Sequence, residues 1–131
     1  MWLKHVIIPM SLGILIYLFF RDKDSLIIHK FITNLPNYNS NVLSSFFRYN
    51  LPDGLWLYAS MMSMVLIWRK TINRHSVFWI ILLPILALFT EGVQFLEPAY
   101  GTFDVRDIFV YFLATMLCFV QCNFNFSHKI I

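Results

Sequence analysis

The sequence predicts an all-α polytopic membrane protein with four transmembrane helices and a short interfacial or re-entrant helix between the first and second. Three observations support this. Of 131 residues, 59% are hydrophobic and 13% charged, with a mean hydropathy of +0.66, whereas an ordinary soluble domain is about 25% charged. The apolar residues gather into four runs approaching the roughly 20 residues that cross a hydrocarbon core. Most of the charges stand between those runs. Four crossings leave no room for a separate soluble catalytic domain, so 1–131 forms a single transmembrane domain.

The first span, 3–20, includes Lys4 and stops at Arg21-Asp22-Lys23-Asp24. Its basic start and apolar middle have the outline of a secretory signal, but Phe19-Phe20-Arg21 offers no small-residue cleavage site, so a retained anchor is expected. In the loop 21–50, Asp24 or Ser25 can cap a short helix whose Ile27, Ile28, Phe31, Ile32 and Leu35 form an apolar stripe. That pattern suits an interfacial helix. The second span, 51–68, ends before Arg69-Lys70. Asn50 is expected to cap it, with Asp53 in its first turn complementing the helix dipole. The third, 76–96, contains Pro84, where a kink is expected, with Thr90 helping to satisfy freed backbone groups. The fourth, 107–125, opens at Asp107 and is uncharged beyond it.

Four consecutive crossings sort the charges. Lys4, Arg69, Lys70, Arg74 and Lys129 share one side with no acid. Asp22, Asp24, Asp53, Glu91, Glu97, Asp104 and Asp107 lie on the other, with Arg21, Lys23, Lys30, Arg48 and Arg106. The basic residues divide evenly, but three of them crowd the short middle connection. That density assigns the acid-free side, with both termini, to the cytoplasm of a bacterial inner membrane. The net charge of +3 and pI near 9.0 then reflect topology and not nucleic-acid binding.

The candidate ligand-binding residues are Asp53, Glu91, Gln94, Asp104, Arg106 and Asp107, which parity gathers at one end of the bundle. Glu91 and Gln94 are three apart and share a helix face. A carboxylate near a helix C-terminus opposes the dipole, so Glu91 points to a function and not to a cap. For Asp104 and Asp107 capping is the stronger expectation. Phosphate-cradling glycine loops, nucleophile elbows and metalloprotease helices are absent from the sequence, so no catalytic residue, metal or cofactor is assigned. His5, His29, His75 and His128 are scattered; Met61, Met62, Met64, Cys118 and Cys122 are expected to serve packing.

Glu91-Gly92-Val93-Gln94, then Gly101-Thr102-Phe103-Asp104-Val105-Arg106-Asp107 leading into an apolar helix, resembles the VanZ-like family of small bacterial membrane proteins, named after a teicoplanin-resistance factor. In that family an ExxQ ends one span, a Gly-Arg-then-acid segment opens the next, and an earlier Asp stands near the start of a preceding span, here Asp53. The similarity covers about 50–117. Thr102 stands where the family has arginine, and Tyr111 where it has asparagine one turn after the opening Asp. The resemblance implies a four-span envelope protein whose polar outer end is its working surface. The expected role is to bind or modulate an envelope ligand, a lipid head group or a glycopeptide-type antibiotic. The expected partners are membrane lipid and a membrane protein or second copy, without nucleic acid. The alternatives are an accessory subunit of a larger membrane complex and, more weakly, a small proton-coupled transporter.

Overall fold

The computed structural model describes residues 1–20, 45–68 and 73–127, the last five as backbone. The interfacial helix expected at 25–35 lies outside the described residues. Within them every regular element is helical. The long helices are α1 (Ile8–Phe20), α2 (Leu51–Trp68), α3 (Arg74–Leu96) and α4 (Val105–Ser127). Leu3–Phe20, Arg74–Leu96 and Val105–Cys122 are long and apolar enough to cross a membrane. α2 is as long as the shorter of these but is not among them, because Pro52, Asp53, Gly54, Ser60 and Ser63 dilute its apolar residues.

α2 packs against each of the other three helices, most extensively against α4, and it holds most of the core. Leu57, Met61, Met62 and Val65 are buried there with Ile80 of α3 and Tyr111, Ala114 and Cys118 of α4. The large exposed apolar side chains stand mainly on the outer helices, among them Ile8, Phe89 and Phe112; within α2 Ile67 alone is exposed. Lipid tails are as apolar as leucine, so helices in a bilayer associate through close packing and hydrogen bonds more than through removal from water. Two glycines permit that closeness. Gly13 of α1 lies under the Trp56 indole, and a Cβ on Gly54 would collide with Val110 Cγ1 of α4.

Both α1 and α2 are preceded without a break by a π turn, Leu3–Ile7 and Phe46–Asn50. Each turn is followed by one residue and then a proline, Pro9 or Pro52, both buried. A proline lacks the N–H of the α ladder and its ring crowds the carbonyl four residues back; the wider turn relieves that crowding. Since helical backbone already begins at Ser45, Asp53 sits about two turns inside it. The expected cap at Asn50 therefore does not form, and that side chain is used elsewhere.

At the other end of the bundle Asn73 and Ser76 cap α3 reciprocally, with Ser76 fully buried. Pro84 sits inside an unbroken α3. Thr90 donates to the Ala87 carbonyl at 2.7 Å. The carbonyl left without a donor by Pro84 would be that of Ile80, four residues before it, so Thr90 does not supply the expected compensation. Ser63 and Thr115 likewise return their hydroxyls to carbonyls one turn back, at 2.8 and 2.7 Å, which satisfies them within apolar surroundings.

Gly54→Ala should lower stability by about 1–3 kcal/mol, the usual cost of overfilling a packed contact. Thermal unfolding in detergent of Gly54→Ala, Val110→Ala and the double variant checks this. The double variant should recover most of the loss; equal damage in both backgrounds would show that the α2–α4 contact is looser than described.

Candidate functional site

At the end of the bundle where α2 and α4 begin and α3 ends, a cavity of about 590 Å³ opens among Tyr49, Asn50, Asp53, Thr90, Glu91, Gln94, Tyr100, Gly101, Thr102, Asp104, Asp107 and Tyr111. Five of the six candidate residues line it: Asp53, Glu91, Gln94, Asp104 and Asp107. Arg106 does not. Its side chain is exposed, with Nη1 3.4 Å from Ser45 Oγ. The odd position in Asp104-Val105-Arg106-Asp107 explains this, because in the first turn of a helix Asp104 and Asp107 share a side that Arg106 leaves.

Asn50 organises the site. Its side chain, 1% exposed, donates through Nδ2 to Asp104 Oδ2 at 3.0 Å and to Asp107 Oδ1 at 2.7 Å. One amide from the π turn ahead of α2 thus fastens both carboxylates at the start of α4. Asp104 also caps α4 through Oδ1, which accepts the Arg106 N–H at 2.9 Å. Asp104 thus caps α4 with one oxygen and accepts the Asn50 amide at the cavity with the other.

Glu91 is 4% exposed. Its Oε2 accepts the Asp104 N–H at 3.5 Å, and Tyr111 lines the same cavity. Gln94 is held from the other side. Gly101 has φ 145°, a conformation that favours glycine, and a Cβ there would meet the Gln94 side chain at 2.9 Å. The connection can therefore fold over Gln94 only with glycine at this point. Phe95 and Phe103 close the same connection edge to face, their centroids 5.2 Å apart.

Among the described residues no lysine or arginine lines the cavity. Burial opposes ionisation of Asp104, but the Arg106 N–H, the Asn50 amide and the Arg106 charge outweigh it and hold this carboxyl below its ordinary value of 3.8. No three His, Cys, Asp or Glu side chains among the described residues converge to hold a metal ion. The cavity can hold a small polar group that donates hydrogen bonds or carries positive charge, and its volume falls in the range of about 300–1,000 Å³ typical of ligand sites.

Two lining residues outside the candidate set had a signal in the sequence. Tyr111 lies four residues after Asp107 and so on the same face of α4. Asn50 lies three before Asp53, on the helical stretch that the second proline conceals. Tyr49, Tyr100 and Thr102 reach the cavity through the local course of the turns around them, which no periodicity marks. Compared with known proteins, the chain matches no family model, no curated protein and no solved structure.

Asn50→Ala strands two carboxylates and should cost about 1–3 kcal/mol near neutral pH. The sign of its pH dependence follows from Asp104. A carboxyl held below its ordinary value contributes stability that is present above 3.8 and is lost as pH falls through the lower folded-state value. Thermal unfolding between pH 7 and 3 should show the wild type losing its advantage over Asn50→Ala at the acid end. A gap independent of pH would separate Asn50 from the carboxylates.

Proposed function

We propose that this chain is a VanZ-like membrane protein of the bacterial cell envelope that binds an envelope ligand through its acid-lined cavity. The ligand is a zwitterionic lipid head group, whose ammonium enters among the carboxylates while its phosphate stays at the rim near Arg106. The observation that supports this most is the asymmetry of the site. Asp53, Glu91, Asp104 and Asp107 line the cavity, and the one basic candidate stands outside it, exposed. Opposite charges separated in that order match an amine and a phosphate on one molecule.

On this reading α2 crosses the membrane as the fourth span, shielded from lipid by its neighbours, which is why it tolerates an aspartate and two serines. The acid end then faces away from the cytoplasm. The departures from the family pattern are partly made good across elements: where the asparagine after Asp107 is replaced by Tyr111, Asn50 of the π turn ahead of α2 brings an amide to Asp107 at 2.7 Å. The protein acts as a binding or modulating component.

Co-purification from mixed-lipid membranes tests this. Phosphatidylethanolamine should be retained over phosphatidylglycerol by several-fold, and Glu91→Gln, which keeps shape and removes charge, should abolish the preference without removing the protein from the membrane. Equal retention of both lipids by the wild type would defeat the zwitterion assignment. For orientation, a C-terminal reporter active only outside the cytoplasm should stay silent, and strong activity would reverse the topology.

A further inference from the structure

A second polar cluster lies away from the carboxylate cavity and plays no part in it. Cys118 of α4 is fully buried, and its Sγ lies 3.6 Å from the Sδ of Met62, also fully buried, on α2. Cys122, one turn further along α4 and half-buried, packs against the core cluster that holds both. Three sulfur-bearing side chains from two helices thus share one part of the core. Cys118 is eleven residues beyond Asp107, so about 16 Å of helix separates the cluster from the carboxylates.

We propose that Met62, Cys118 and Cys122 form a binding site for a soft monovalent metal ion of the Cu(I) class. With metal–sulfur bonds of about 2.3 Å, the sulfurs of a trigonal site stand about 4 Å apart, so the 3.6 Å between Cys118 and Met62 requires only a small adjustment. Thiolate with thioether is the donor set that selects Cu(I) over harder ions. This combination lies outside the His, Cys, Asp and Glu groupings that hold zinc-type sites.

Charge favours the monovalent ion too. The ion replaces the proton on one thiol, forming a metal–sulfur bond and releasing H⁺, while the second thiol and the thioether coordinate as neutral donors. No net charge enters the apolar core, and no electron is transferred. Tyr58, whose hydroxyl lies 2.7 Å from His5 Nδ1, packs against the same core cluster. It offers the released proton a polar neighbour.

Anaerobic competition in detergent against a colorimetric Cu(I) chelator tests the site. The wild-type protein should withdraw one equivalent of Cu(I). Met62→Leu, which conserves volume, should weaken binding at least tenfold, and Cys118→Ala combined with Cys122→Ala should reduce it to that of detergent alone. If the double variant does not fold, Cys122→Ala alone, at a half-buried position, should still lose at least tenfold. Absence of withdrawal by the wild type, unchanged affinity in these variants, or displacement of Cu(I) by equimolar Zn(II) would overturn the proposal.

Discussion

The structure depends on the enclosure of α2. α2, which bears Asp53, Gly54, Ser60 and Ser63, is not among the helices apolar enough to cross a membrane, and the other three pack around it. Covering it requires close approach, and close approach requires Gly13 against Trp56 and Gly54 against Val110. The outer helices can then carry the chain's hydrophobicity, with bare phenylalanines facing outward. The division of labour explains why α2, and not the longer α3 or α4, has the most buried residues.

The carboxylate cavity extends the same constraint to one end of the bundle. Gathering Asp53, Glu91, Asp104 and Asp107 around one space opposes like charges and removes some of them from water. The structure offsets this with donors from different parts of the chain: the Asn50 amide and the backbone N–H groups at the start of α4. The polar end is therefore both the part most exposed to strain and the part that fastens α2 to α4. On the reading proposed above, a ligand ammonium would relieve the remaining repulsion and so couple binding to bundle closure.

Much of the architecture was legible from the order of apolar runs and charges. Helical segments near 3–20, 51–68, 76–96 and 107–125 follow from run length alone, and alternation of sides brings Asp53, Glu91, Gln94, Asp104 and Asp107 to the same end. Arg106 followed the same arithmetic yet points outward, because parity specifies an end and not a face; its position two residues after the cap turns it away. Asn50 was misassigned for a related reason. A proline two residues later looks like a helix start, and a π turn that carries the helix through it leaves no mark in the hydropathy. The clustering of Met62 with Cys118 was illegible because it joins residues 56 apart, and nothing in either helix specifies their rotation about each other.

The two π turns that run ahead of Pro9 and Pro52 place one extra residue in a turn of helix, which rotates everything before them by roughly 100° relative to an uninterrupted α-helix. Those rotations set the azimuth of His5 at the start of α1 and of Arg48 and Asn50 ahead of α2, all buried. A single-residue deletion in either turn would be easy to accommodate locally, since it would restore ordinary helix geometry. It would nonetheless swing polar groups from the interior toward the bilayer. The bundle is thus more sensitive to chain length at these two points than to the chemistry of most of its outward side chains.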